Sequence, residues 1–328
     1  MATKKKHKLF DFFNYHRDNR VDALEEDTTP TIKRYFKLLG RRFWKLITLN
    51  MMMLPMIAPI LIALYIWFGV DRTPTVTSGL FPQIFAANQL SPSPESTILL
   101  DLYGMQSTIP VYNATPAYIG VAICALVLLV TFGWQNAGAT YVLRSMVRGE
   151  PVFVWSDYFY AVKRNLKQGL LLGILDFVVI FLLAFDIGYF WNQAGTSFLT
   201  NVGFWLTCLI IILYFLMRFY MYLLMITFDL SIRKILKNAL IFAVLGFKRN
   251  IMAVLGILLI TAVNVALLLL LGPTPLGGVP IILPFLYYLS VTAFTAAYGA
   301  YPIIERYMIK PYLKAEDEEA EEVVSEEE

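Results

Sequence analysis

Six long apolar segments separate the polar parts of this chain. They lie at about 46–70, 117–143, 169–191, 203–228, 251–271 and 279–300. A helix needs about 20 such residues to cross a hydrocarbon core of about 30 Å. The uncharged stretch from Ile251 to Ile304 is too long for one crossing, and the Gly- and Pro-rich run 272–280 divides it into two. The pattern predicts an all-α polytopic membrane protein, a bundle of six transmembrane helices in a lipid bilayer.

Composition supports the membrane class and argues against an enzyme. Hydrophobic residues make up 58% of the chain and charged residues 16%, whereas a soluble domain has roughly 45–50% apolar and about 25% charged residues. The two histidines, His7 and His16, precede the first span, and the two cysteines, Cys124 and Cys208, lie in apolar runs. This inventory provides no metal cluster, disulfide framework or convergent acid and base. We therefore expect no cofactor and no catalytic residues.

The basic residues predict the orientation. Twelve lysines and arginines precede Leu46, and the 144–168 and 229–250 connections carry five each. The alternate connections carry one, none and none. Because positive charge stays on the cytoplasmic side, both termini are predicted to be cytoplasmic.

The regions outside the spans give the domain organisation. Residues 1–42 form a basic and aromatic cytoplasmic segment with an interfacial helix, and 43–304 form the membrane domain. Within that domain, 71–116 is the long outer loop. Residues 305–328 form an acidic, disordered cytoplasmic tail. Basic and aromatic residues directly beside a span indicate a bilayer surface rather than nucleic acid.

Two cytoplasmic helices, 151–168 and 229–249, each precede a pair of spans. Each leads into the next span through a Lys-Arg-Asn triplet, Lys163-Arg164-Asn165 or Lys248-Arg249-Asn250, followed by similar apolar residues. The match indicates repeats of one short helix and a two-span hairpin. Two crossings return the chain to the same side, so such repeats are parallel.

Polar residues inside the spans are the first candidate site. Asp176 lies seven residues into the third span, about 10 Å deep, and Arg218 lies ten residues from the cytoplasmic end of the fourth, about 15 Å deep. They can pair as a staple between helices, or form a polar step in a substrate path. Four amides are expected to make helix–helix hydrogen bonds: Asn50, Gln135, Asn136 and Asn264.

The two cytoplasmic helices are the second candidate site. They present aromatic and basic side chains at helical spacing, which suits either the docking of a partner or contact with the inner membrane surface. The residues expected to dock a partner are Trp155, Phe159, Lys163, Arg164, Arg233 and Lys237.

Three runs of residues, in order, resemble the YesL-like family of bacterial integral membrane proteins, whose molecular function is unknown. The resemblance covers roughly Ile32 to Lys314. The runs are Arg41-Arg42-Phe43-Trp44-Lys45-Leu46 with Leu49-Asn50 and Leu54-Pro55, Arg148-Gly149-Glu150 with Asp157-Tyr158-Phe159 and 162–168, and Phe228-Asp229-Leu230-Ser231 with 235–240.

The resemblance implies an accessory role in carbohydrate uptake, because members of that family occur beside ABC-type oligosaccharide uptake systems. The implied partners are ABC transporter subunits or a solute-binding protein, in a bacterial cytoplasmic membrane. The alternative is an autonomous small-solute transporter or channel, with Asp176 and Arg218 lining its path. Six spans with few buried charges would need further subunits to build a pore, so a homo-oligomer remains open.

Overall fold

The computed structural model describes residues 29–69, 115–193 and 197–311, with residues 88, 90, 93–95, 97, 98 and 195. Most of the predicted amino-terminal segment and most of the outer loop 71–116 lie outside the described residues. The acidic tail beyond residue 311 also lies outside them. Every regular secondary-structure element within the described residues is a helix.

Among the residues that the structure describes, six helices are long and apolar enough to cross a membrane, which confirms the predicted six-span helical protein. In chain order the helices are α1 (Ile32–Arg41), α2 (Phe43–Phe68), α3 (Thr115–Arg148), α4 (Val154–Arg164), α5 (Leu166–Asn192), α6 (Phe198–Thr227), α7 (Ile232–Leu245), α8 (Phe247–Leu271) and α9 (Gly278–Ile304). The six long helices are α2, α3, α5, α6, α8 and α9. A π-helical turn, Glu305–Ile309, extends α9 into the segment that was predicted to be a disordered tail.

A short helix followed by two long ones occurs three times in this order. The short helices α1, α4 and α7 are joined to the following spans by single residues, Arg42, Asn165 and Gly246. The predicted repeat of a short helix and a two-span hairpin therefore has a third copy at the start of the chain. One residue is too short for a flexible loop, so each short helix is held at a fixed place against its span.

The predicted helix 151–168 begins too early and includes a break. Gly149 adopts φ 84°, a conformation open to glycine, and α3 ends just before it. Pro151 lies in the connection that follows, and α4 begins at Val154. The helix predicted over 229–249 is likewise shorter, Ile232–Leu245, and Ser231 stands at its N-cap position.

The chain divides into two compact units, residues 57–128 and the rest. In the 57–128 unit, the end of α2 packs on the start of α3. Trp67 and Tyr118 meet edge to face with ring centroids 5.7 Å apart, and the Ile66 side chain lies beside Gly120.

The larger unit has its most buried helical segment in the second half of α6. Every residue from Phe219 to Ile226 is buried there, whereas the first half of α6 leaves large apolar side chains exposed. The buried half packs on α7, and the exposed half is the surface expected of a helix that faces lipid. The candidate polar site lies where α6 changes from its exposed first half to its buried second half.

Candidate functional site

Four side chains form a polar centre between α5 and α6. The Asp176 side chain is fully buried, and the Arg218 Nε lies 3.0 Å from its Oδ1 and 3.1 Å from its Oδ2. The Tyr214 hydroxyl donates to Oδ1 at 2.8 Å, and the Tyr222 hydroxyl donates to Oδ2 at 2.9 Å. Residues 214, 218 and 222 are spaced by four, so one face of α6 carries all three donors.

The arrangement satisfies the carboxylate with protein donors alone. Each Asp176 oxygen accepts from one phenol, Oδ2 also accepts from the Arg218 Nε, and the guanidinium beside both oxygens neutralises the carboxylate charge. The Arg218 side chain is 26% exposed, and its guanidinium carbon lies 5.6 Å from the centre of the Phe132 ring on α3. The geometry is that of an electrostatic link between neighbouring spans.

Glycines bring α3 close to α5 beside this centre. A Cβ on Gly133 would overlap the backbone of Gly169, and a Cβ on Gly173 would overlap the Gly133 backbone. The Trp134 indole donates to the Leu166 carbonyl at 2.8 Å, which fixes the start of α5 against α3. Small residues allow helix backbones to approach in a membrane, so these glycines set the position from which Asp176 faces α6.

The repeated Lys-Arg-Asn triplet has a structural role in both copies. The Asn165 side chain donates to the Ala161 carbonyl at 2.8 Å, and the Asn250 side chain donates to the Ala243 carbonyl at 2.9 Å. Both bonds satisfy a carbonyl at the end of the preceding short helix. Asn250 lies four residues beyond its junction and also accepts from the Tyr220 hydroxyl at 2.6 Å.

Arginines at the ends of helices form contacts that the sequence reasoning missed. Buried Arg144 donates to the Ile226 carbonyl at 3.2 Å and to the Thr227 hydroxyl at 3.3 Å, at the end of α6. Arg42, 1% exposed, donates to the Glu150 carbonyl at 2.9 Å. A cation at a helix carboxyl end is favoured by the helix dipole. Both arginines belong to the basic segments that predict the orientation, and no local sequence pattern predicts these contacts.

The four predicted interhelical amides differ in their contacts. Asn50 is fully buried on α2, donates to the Phe285 carbonyl at 2.6 Å and accepts from the Ser290 amide at 3.0 Å, both on α9. Asn264 accepts from the Tyr287 hydroxyl at 3.0 Å.

The other two amides have weaker interhelical contacts. Asn136 donates within its own helix to Phe132 at 2.8 Å and approaches the Met56 sulfur at 3.7 Å. The Gln135 Oε1 is buried without a hydrogen-bond partner among the described residues.

All six residues expected to dock a partner are exposed. On α4, Trp155 and Phe159 stack with ring centroids 6.2 Å apart and lie 57% and 48% exposed. Lys163 and Arg164 follow in the last turn of that helix. On α7, the last two of the set are exposed in the first two turns: Arg233 and Lys237.

Two titratable groups hold α4 in place. The Phe153 amide donates to the Asp157 carboxylate at 2.8 Å at the start of the helix. Burial raises the pKa of Asp157, and this hydrogen bond opposes the rise. Burial also raises the pKa of Tyr158 to about 12, and this side chain faces the core. The aromatic stripe predicted for α4 is thus divided, with Tyr158 inside and Trp155 outside.

Comparison with known proteins gives one family. Residues 114–187 match the family described as protein of unknown function, DUF624. The matched region contains α4, Asp176 and the close contact between α3 and α5, but not Arg218. No curated protein and no solved structure matches the chain.

Proposed function

We propose that this protein is a non-enzymatic accessory or regulatory membrane subunit of a bacterial carbohydrate uptake system of the ABC type. Its α4 and α7 would dock the partner at the cytoplasmic face of the plasma membrane. The observation that carries the proposal is the pair of exposed, stacked aromatic side chains on α4, Trp155 and Phe159.

The inner face of α4 is packed against the rest of the protein, and its outer face is exposed. Val154, Tyr158 and Ala161 are buried on its inner face, and Asp157 bonds its first turn. Aromatic and basic side chains on a fixed helix lose little freedom on binding, and tryptophan and arginine are common at the centres of interfaces. A docked partner would cover Trp155 and Phe159.

The outer face of α7 adds charge to the proposed surface. Arg233 and Lys237 are exposed near its start, and Leu240, Ile241 and Val244 are exposed near its end. A helix with a basic start and an apolar end suits the boundary of a membrane, with its end toward lipid. The basic start would then meet acidic side chains of a cytoplasmic partner.

The family match supports the resemblance on which the proposed uptake role rests. YesL-like proteins belong to the DUF624 family, and residues 114–187 match that family's model. Members of the YesL-like family, which this chain resembles, occur beside ABC-type oligosaccharide uptake systems. This is an association between proteins and not a mechanism. The substrate class in the proposal rests on that association, and the docking surface rests on the exposed side chains.

The test is recovery of partners from native membranes of the host. The tagged wild type should copurify with ABC transporter subunits or a solute-binding protein. The variant Trp155→Ala/Phe159→Ala should lose most of that recovery. Trp205→Ala is the matched control, because this tryptophan is 71% exposed on a spanning helix away from the short helices. Equal recovery by the wild type, the α4 variant and the control would refute docking at α4.

The same preparation addresses the alternative of an autonomous transporter. The purified protein is reconstituted alone, and solute flux is compared with empty liposomes. Flux that disappears in Asp176→Asn and Arg218→Gln would replace the accessory proposal with a path through that pair. Flux at the level of empty liposomes would remove the autonomous transporter.

A further inference from the structure

We propose that a groove between α1, α8 and α9 binds one anionic phospholipid, with an acyl chain along the groove and the phosphate at Arg249. The groove lies within the larger unit and encloses about 510 Å³, within the range of small-molecule sites. This inference does not depend on the docking of a partner at α4.

The wall formed by α1 is apolar and firmly attached. Ile32, Tyr35, Phe36 and Leu39 face the groove at helical spacing. The Tyr35 hydroxyl hydrogen-bonds the Thr295 hydroxyl at 2.8 Å. The Tyr298 hydroxyl donates to the Thr31 carbonyl at 2.7 Å. These bonds hold α1 along α9.

The floor is formed by small residues where α8 crosses α9. Ala253 and Gly256 on α8 and Gly299 on α9 line it. A Cβ on Gly299 would approach the Ala253 Cβ to 2.9 Å, so the two helices are already in close contact there. At most a methyl group projects from these positions, so they leave space along the groove.

The length of the groove matches one leaflet of a bilayer. Its lining on α8 runs from Arg249 to Ile260. Eleven residues at about 1.5 Å each give about 16 Å. Half of a hydrocarbon core of about 30 Å is about 15 Å, the depth that an acyl chain of a single leaflet occupies.

The charge lies at the end where a lipid phosphate would be. Arg249 is partly exposed at the start of α8, and its guanidinium makes neither a hydrogen bond nor an ion pair with the residues that the structure describes, although its charge also acts on the Tyr220 phenol. This end is the predicted cytoplasmic end, since Arg249 belongs to the basic 229–250 connection. A guanidinium binds phosphate through two donors, and basic pockets between membrane helices bind anionic headgroups.

The order of these features identifies the occupant. One cation is followed along a single line by about 16 Å of apolar lining, which is the order of phosphate and acyl chain in a phospholipid. A second copy of the chain would bury the apolar lining but would bring no phosphate to Arg249. We therefore commit to a phospholipid of the cytoplasmic leaflet with a net negative headgroup.

The test is native mass spectrometry of the full chain in detergent, titrated with phosphatidylglycerol or with phosphatidylcholine of the same acyl chains. The wild type should bind phosphatidylglycerol at least about fivefold more tightly, as expected for one basic residue at a membrane surface. Arg249→Gln should remove that preference. Its neighbour Lys248→Gln is the matched control, because Lys248 is exposed and does not line the groove.

A second pair of variants tests the chain site independently of charge. Leu259 lines the groove and Leu258 does not, although both are more than half exposed. Leu259→Trp should weaken both lipids by a similar factor, and Leu258→Trp should leave both unchanged. Neither leucine belongs to the buried core, so all variants are expected to retain the wild-type melting temperature, which is measured first.

Three results would overturn the proposal. Equal affinity of the wild type for the two lipids would remove the headgroup site. Equal effects of Arg249→Gln and Lys248→Gln would assign the preference to diffuse surface charge. A dimer that Leu259→Trp converts to monomer would place a second copy in the groove.

Discussion

The buried ion pair predicts an asymmetric response to removal of its two members. We compare Asp176→Asn, Arg218→Met and the double variant. Asn keeps an oxygen that can accept from a phenol, and it leaves Arg218 partly exposed beside Phe132. Met removes the only cation that contacts the fully buried carboxylate among the described residues, and it leaves that carboxylate with two phenol donors.

The magnitudes follow from this difference in burial. Breaking a buried pair by removing one partner costs about 3–5 kcal/mol. Because two phenols remain and the reference state in a membrane also finds partners, we expect about 3 kcal/mol for Arg218→Met. Asp176→Asn leaves no unpaired ion fully buried, because Arg218 is partly exposed, so this variant should cost about 1–2 kcal/mol. The coupling energy should be about 2–3 kcal/mol, which leaves the double variant near 2 kcal/mol.

The measurement is equilibrium unfolding in mixed micelles at increasing fractions of denaturing detergent. Each variant is followed by tryptophan fluorescence and helical circular dichroism, and the two probes must coincide. Additive free energies in the double-variant cycle would refute the coupling. A larger cost for Asp176→Asn than for Arg218→Met would refute the argument that burial of the carboxylate sets the asymmetry.

Three further predictions concern packing, titration and interhelical bonds. Gly173→Ala should lower the free energy of unfolding by about 1–3 kcal/mol because its new methyl meets the α3 backbone, whereas Gly188→Ala, which has open space in the same helix, should be neutral or stabilising in the same unfolding assay. Burial raises the pKa of Asp157, so the folded state binds the proton more tightly. The wild-type melting temperature should therefore fall relative to Asp157→Asn as pH rises from about 3 to 7, and a constant difference would contradict this. Asn50→Leu should cost about 1–2 kcal/mol because it leaves two backbone groups of α9 without their side-chain bonds, and partly exposed Asn264→Leu should cost less; equal losses would argue against burial as the cause.

The six spans were predictable from sequence because each is long and apolar, and because basic connections or polar and Gly- and Pro-rich runs separate them. Asp176 and Arg218 were also identifiable, since an ionised group is conspicuous in an apolar segment. The two phenols that complete the centre were not, because tyrosines are common in this chain and only the four-residue register facing Asp176 distinguishes Tyr214 and Tyr222.

The ends of the short helices were less predictable for a different reason. Pro151 is a good first residue for a helix, but the turn after Gly149 delays α4 to Val154. Arg144 and Arg42 were counted as charges that orient the chain, whereas three-dimensional contacts place both against backbone carbonyls. Such bonds depend on where other helices end, which no local pattern encodes.

The burial of Asp176 has a consequence for the way the chain is synthesised and inserted. Arg218 follows it by 42 residues, so at about 5–20 residues per second the carboxyl waits about 2–8 s for its partner. An aspartate within a span opposes insertion by up to about 3 kcal/mol, and the long run of apolar residues in α5 compensates for it. Until Arg218 has been synthesised, α5 therefore holds Asp176 without its ion-pair partner. A ribosome pause between α5 and α6 would prolong the interval in which this carboxyl lacks its guanidinium.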